Sequence, residues 1–253
     1  MSAIKLSDIS SRVPEDRDKK ETKEKTAEML AELNKLQNLL YAEGKNSLLV
    51  ILQGMDASGK DGAIKNVFGT LNPQGVHVKT FKAPTDEELS HDFLWRIHPH
   101  APSKGMIQIF NRSHYEDILV TRVHGWCDDD LAKKRMKAIN NWENLISVHN
   151  HTSILKFYLH ISYKEQQERL AERMVNPLKM WKYNTNDKDE SQFWNSYMRV
   201  YEDCFENCND IPWTVVPSDQ NWNKEYVIVR KLLETLSSLN MKYPALKENT
   251  KRQ

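Results

Sequence analysis

Gly54, Gly59 and Lys60 stand in the spacing G-x-x-x-x-G-K within SLLVILQGMDASGKDG, residues 47–62. That is the pattern of a phosphate-binding P-loop. Glycines let the backbone fold tightly round an anion with its N–H groups turned inward. A helix starting at the loop presents a positive dipole end, and Lys60 adds a point charge. Gly54, Ala57, Ser58, Gly59, Lys60, Asp61 and Gly62 are therefore the candidate phosphate cradle. One position departs from the pattern: Asp61 stands where a Ser or Thr hydroxyl usually helps hold Mg²⁺. A carboxylate also serves magnesium. Asp56, inside the loop, is a second carboxylate in a site otherwise built for anions. It reads as a magnesium ligand, direct or through water, or else as an Asx residue stabilising the turn.

A second cluster, NRSHYED at residues 111–117, follows the apolar run MIQIF and supplies Arg112, Glu116 and Asp117. Phosphoryl transfer needs positioning and charge neutralisation more than covalent chemistry. Glu116 and Asp117 read equally as acids serving a metal or substrate and as surface acids of a capped helix start. Asn111 stands where a Walker B strand would end in Asp, and His114 reads as a packing or hydrogen-bonding residue. Arg169 and Arg173 lie one helical turn apart, with Lys179 and Lys182 just beyond. Like charges at that spacing repel slightly. An anionic partner would relieve them, as would salt bridges to Glu165 and Glu168. Trp181 and Tyr183 either stack on a base or anchor their loop. Lys65, Lys79, Lys82 and Arg96 extend a positive track, or are simply solvated.

The elements that must position these groups follow from periodicity. Leu30, Leu33, Leu36, Leu40 and Tyr41 recur at helix spacing, which predicts a helix over 21–43 stopped by Gly44. Strand-like runs stand at 48–52, 76–83, 106–110, 153–161 and 213–216, with helical segments between them. Asp128, Asp129 and Asp130 open a long helix at the end where acids suit the dipole. Alternating strands and helices predict an α/β domain with a parallel five-stranded sheet flanked by helices. Ligands then bind at the carboxyl ends of the strands. The loop after the first strand and NRSHYED after the third would face one crevice. Residues 1–19 read as a flexible arm, 20–245 as one domain with a lid at about 173–192, and 246–253 as a polar tail.

Composition narrows the function classes. The 253 residues carry a net charge of +1, so neither non-specific nucleic-acid binding nor a membrane surface is indicated. No apolar run approaches membrane-spanning length. The 3 cysteines form no CxxC pair, which fits a reducing cytoplasm. Of the 8 glycines, none follows Gly125, so the second half is expected to be mostly helix.

GMDASGKDGAIKNVF, FKAPTDEELSHDFLWRIH, FNRSHYEDILVTRVH and RMVNPLKMWK together resemble the family-2 polyphosphate kinases, over roughly 28–239. The resemblance implies a P-loop kinase fold with a helical lid. It also implies Mg²⁺-dependent phosphoryl transfer (Mn²⁺ the alternative) between inorganic polyphosphate and purine nucleotides, AMP and ADP first, GMP and GDP in addition. The FNRSHYED form, with Asn111, is similar to the subgroup accepting nucleoside monophosphates as well as diphosphates. By the same resemblance Asp56, Lys60, Arg112, Glu116 and Asp117 form the catalytic set, and Asp56, with Asp61, Glu116 and Asp117, serves the metal. Lys65, Lys82 and Arg96 meet polyphosphate. Arg122, Arg173, Lys179 and Lys182 belong to the nucleotide and lid region. A homodimer or homotetramer is implied. Two alternatives stay open at this stage: an ATP-dependent nucleoside or nucleotide kinase, and a non-catalytic nucleotide sensor.

Overall fold

The computed structural model describes residues 4–245, so the polar tail expected at 246–253 lies outside the described residues. Five parallel strands form one sheet in the order β2-β3-β1-β4-β5. They are β1 (Ser47–Gln53), β2 (Val76–Thr80), β3 (Ile107–Asn111), β4 (Thr152–His160) and β5 (Trp213–Pro217). Every residue of β1 is buried, as an unbroken apolar run in a sheet covered on both faces must be. Its side chains alternate between two cores. Leu49 and Ile51 face one, with Phe110, Ile154 and Tyr158; Leu48, Val50 and Leu52 face the other, with Ile107, Ile109 and Phe157.

Nine α-helical segments fall among the described residues. α1 (Lys19–Glu43) starts at an Asp18 side-chain cap and stops at Gly44 in the left-handed region. α2 (Lys60–Ala63) continues as a π-helical turn, Ile64–Phe68. α1, α2 and α9 (Asn221–Ser238) cover one face of the sheet. α5 (Asp129–Asn150) and α8 (Trp194–Asn207) cover the other. The shorter segments are α3 (Asp86–Leu89) and α4 (Val120–Val123). α6 (Tyr163–Val175) leads into the lid region, which carries a 3-10 turn (Met180–Lys182) and α7 (Asn186–Gln192). The α-helical segment between β2 and β3 is only α3, which a Thr85–Glu88 capping box opens.

The arm is the main departure. Residues 1–3 lie outside the described residues, but from Ile4 onward the segment packs on the domain. Leu6 is buried in the core beside Ile4, and its N–H donates to Glu202. The Asp219 N–H donates to the Ser11 carbonyl, and the Arg17 guanidinium to Asn223. Polar composition masked the spaced apolar residues Ile4, Leu6 and Ile9.

Beneath the end of β3, Lys156 of β4 is fully buried and donates to Glu143 Oε2 (2.8 Å), Tyr115 Oη (2.9 Å) and the Cys208 carbonyl (2.9 Å). This node ties β4, α5 and α8 to the turn that carries NRSHYED. Removing one partner of such a pair strands the other charge in the core. Lys156→Met is therefore predicted to cost about 3–5 kcal/mol. In urea unfolding the midpoint should fall with an unchanged slope; an unchanged midpoint would contradict the role given to the node.

Candidate active site

β1 runs straight into the loop. Gly54 has φ 149°, and a Cβ there would lie 2.9 Å from both the Leu159 carbonyl and Ser58 Oγ. Ala57 adopts φ 62°, the left-handed region that side chains disfavour. Lys60, Asp61 and Gly62 open α2, where N–H groups have no intrahelical acceptor. All three line a cavity of about 540 Å³. The Lys60 side chain turns back under the loop and donates to the carbonyls of Gly54 (2.6 Å) and Met55 (3.2 Å). Burial, then the charge of Arg112, bring its ammonium down to about 8, against the opposing pull of Asp56, Glu116 and Asp61.

Because β3 pairs directly with β1, its carboxyl end meets the loop. The Arg112 N–H donates to the Leu52 carbonyl at 3.1 Å, and Arg112 itself has φ 62°. Its guanidinium donates to Asp56 Oδ1 at 2.7 Å. Burial would raise the Asp56 carboxyl, but Lys60 and Arg112 outweigh it and hold it below its usual range. Asn111 Nδ2 donates to Asp61 Oδ1 (3.1 Å), and Lys182 Nζ donates to Asp61 Oδ2 (2.6 Å). Burial raises Asp61 as well, and the hydrogen bond and charge of Lys182 overcome it. A second cavity of about 330 Å³ opens on the other side, and Asp56 and Arg112 line both. Glu116 lines the second, its carboxyl raised by burial in spite of Arg112 and Lys60.

The structure brings Lys82, Arg173, Lys179 and Lys182 to the first cavity. Gly54 and Glu116 line the second cavity instead, and Lys65, Lys79, Arg96, Asp117 and Arg122 line neither. Asp117 turns towards Arg96 (3.5 Å), and its carbonyl accepts from Arg135, so it is a support of the turn rather than a metal-side acid. Arg96 is buried among Glu88, Asp117 and the Lys82 carbonyl, which leaves it no face towards a polyanion. Arg122 is held by Asp129 (2.7 Å) and Asp203 (2.6 Å) and lines neither cavity. Lys65 is exposed on the π-helical turn and also lines neither. His114 is in the core, 3.5 Å from Glu143. Trp181 is 77% exposed and donates to the Leu178 carbonyl, which anchors its turn.

Sequence reasoning missed the groups that hold the loop from outside. Gln166 donates to the Asp56 carbonyl, Arg169 to the Ala57 carbonyl and Lys224 to the Gly59 carbonyl. It had Arg169 only as one of a cationic pair, and nothing in the sequence around Lys224 distinguishes it. Tyr197 and Tyr201 of α8 also line the second cavity, and their spacing of one turn is the signal the sequence offers for them. Among the described residues, no group of three or more His, Cys, Asp or Glu is placed to cage a metal. Magnesium commonly needs only one or two carboxylates, completed by water and substrate phosphates. Asp56 and Asp61, which share the first cavity with the buried, unpartnered Asn111 Oδ1 near them, fit that requirement.

The family model for Polyphosphate kinase 2 (PPK2) matches residues 16–244. An AMP/ADP-polyphosphate phosphotransferase of Meiothermus ruber is 45% identical over 228 residues, covering 88% of this chain and 85% of that protein. An ADP-polyphosphate phosphotransferase of Rhodopseudomonas palustris is 41% identical over 226 residues, covering 84% and 78%. The crystal structure of Polyphosphate Kinase 2 from Arthrobacter aurescens TC1 superposes with a TM-score of 0.94 at 40% identity, covering 99% of this chain and 91% of that one.

With the Lys60 ammonium at about 8, the cradle loses a positive charge as pH rises through that value. Binding of inorganic tripolyphosphate, measured by calorimetry, should weaken from about one unit below to one unit above it. Lys60→Arg should reduce that slope, since a guanidinium stays charged. The same slope in both proteins would contradict the assignment.

Proposed function

Because the chain belongs to the polyphosphate kinase 2 family, we propose that this site moves a phosphoryl group directly between inorganic polyphosphate and AMP or ADP. The observation that carries the reading is the Asp56–Arg112 pair, which lines both cavities. The first cavity suits a polyanion: Lys60, Lys82, Arg112, Arg173, Lys179 and Lys182 border it. The second suits a nucleoside: Tyr197, Tyr201, Leu119 and Val120 offer apolar faces, and Asn184 and Asn186 offer amides for base or sugar. A phosphate of each substrate would meet at Arg112, with Lys60 below.

The chain's own residues do the work of charge and position. Lys60 and Arg112 neutralise the transferring phosphate, and the open N–H groups of the loop fix its oxygens. Arg173, Lys179 and Lys182 close over the donor, exchanging their carboxylate partners Asp187, Glu172 and Asp61 for phosphate oxygens. Mg²⁺, with Mn²⁺ the alternative, would be held by Asp56 and Asp61 and would neutralise charge on the phosphates. Purine nucleotides, with GMP and GDP beside AMP and ADP, complete the substrate reading. The family resemblance supports a homodimer or homotetramer, and the free, buried Cys127, Cys204 and Cys208 support a reducing, cytoplasmic setting. Among the described residues no helix is long and apolar enough to cross a membrane.

Purified protein with Mg²⁺, polyphosphate and AMP or ADP should form ADP and ATP. Turnover with ATP as donor and no response to polyphosphate would support a conventional nucleotide kinase instead. Asp56→Ala and Lys60→Ala should each lose at least about a hundredfold in kcat, because both act on charge that develops in the transition state. Near-normal turnover in Asp56→Ala would remove it from the site.

A further inference from the structure

Three side chains from outside the P-loop take hold of three of its carbonyls; Arg169 also borders the first cavity and Gln166 the second, while Lys224 borders neither. Gln166 Nε2 donates to Asp56 (3.2 Å), Arg169 Nη1 to Ala57 (3.0 Å) and Lys224 Nζ to Gly59 (3.0 Å). Arg169 is itself fixed by Glu165 and by the carbonyls of Ser218 and Asp219. Lys224 differs from it. Its side chain rises from α9, is fully buried, and has as its other partner only the Asn221 amide oxygen at 2.8 Å. Among the described residues, no carboxylate lies within ion-pairing distance of it. Arg112, Arg169, Arg173, Lys179 and Lys182 each have such a carboxylate. Lys60, in the loop itself, is another buried cation without one, and it bonds the carbonyls of Gly54 and Met55.

An unpaired ammonium in the interior is costly. Here it is set directly beneath a cavity suited to a polyanion, which would supply the missing counter-charge. The contact is also close. A Cβ on Gly59 would meet the Lys224 ammonium, so a side chain at this position would push the end of the lysine away from the loop. In a trans peptide the C=O and the following N–H point in opposite directions. The Gly59 carbonyl accepts from the Ala63 N–H of α2 at 3.0 Å as well as from Lys224, so the lysine adds a second bond to a carbonyl whose peptide points the Lys60 N–H the opposite way.

We propose that Lys224 is a positioning residue for phosphoryl transfer: from behind the loop its ammonium fixes the Gly59–Lys60 peptide and adds a second unpaired positive charge under the bound polyphosphate. The inference rests on the polyphosphate reading of the first cavity. Lys224 acts through the loop and touches no substrate. Its loss should weaken the handling of polyphosphate and leave the nucleotide side, bordered by Tyr197 and Tyr201, intact.

The experiment compares wild type, Lys224→Met and Lys224→Gln, with folding checked by circular dichroism. Steady-state kinetics are run with polyphosphate and AMP each varied. Lys224→Met should lose about a hundredfold in kcat/KM for polyphosphate, the scale of a small misplacement in the site, while KM for AMP stays within about twofold. Lys224→Gln keeps a donor for Gly59 without the charge. It should fall between the two, and it decides the matter alone if the methionine variant does not fold. An unchanged KM and kcat for polyphosphate, or equal losses for both substrates, would overturn the proposal. If wild type turns over ATP but not polyphosphate, the polyphosphate reading fails separately, and Lys224 is judged by the same comparison on KM for ATP.

Discussion

The 2.7 Å ion pair between Asp56 and Arg112 joins the ends of two adjacent parallel strands, and the site is arranged around it. Asp56 comes from the loop after β1 and Arg112 from the first residue after β3, so the pair exists only because the sheet places β3 beside β1. Arg112 reaches it from a left-handed backbone, held by its N–H bond to Leu52. That conformation costs roughly 1–3 kcal/mol for a residue with a side chain, which the bond to Leu52 and the ion pair offset. The turn behind it is braced in turn by Lys156, Glu143 and Tyr115 in the core.

Magnitudes separate the cations that hold the scaffold from those free to change partners. Lys182–Asp61 is a partly exposed pair, and such pairs are worth about 0–1 kcal/mol. A chain of phosphates can replace that carboxylate at little cost. Lys60 and Lys224 are different: both are buried, both bond loop carbonyls, and burial lowers both to about 8. Their charges are expensive to keep without an anion nearby. On the proposed reading the lid would exchange weak surface pairs for phosphate, while Lys60 of the loop and Lys224 of α9 would keep two buried charges in place beside it.

Much of this was legible in the sequence because it depends on local patterns. The G-x-x-x-x-G-K spacing located the cradle, the apolar runs located the strands, and strand–helix alternation set β1 and NRSHYED at one edge. What stayed hidden depends on tertiary partners. Asp117 and Arg96 have the residue types of a metal acid and a polyanion contact, yet each satisfies the other. Arg122 looks like a nucleotide-side cation until Asp129 and Asp203 are seen to hold it. Lys224 is one lysine on an otherwise ordinary helix, and only the fold reveals that it lies against Gly59. The arm was misread for the opposite reason: a few spaced apolar residues are enough to dock a segment that is polar overall.

On the proposed reading, two chambers sharing one ion pair hold both substrates at once, one on each side of Asp56 and Arg112. Calorimetric titration of the protein with AMP, with and without saturating inorganic tripolyphosphate and without divalent metal, tests this directly. The account predicts that AMP binds in both conditions with comparable stoichiometry, forming a ternary complex. Displacement of AMP by tripolyphosphate in simple competition would mean a single shared chamber and would contradict it.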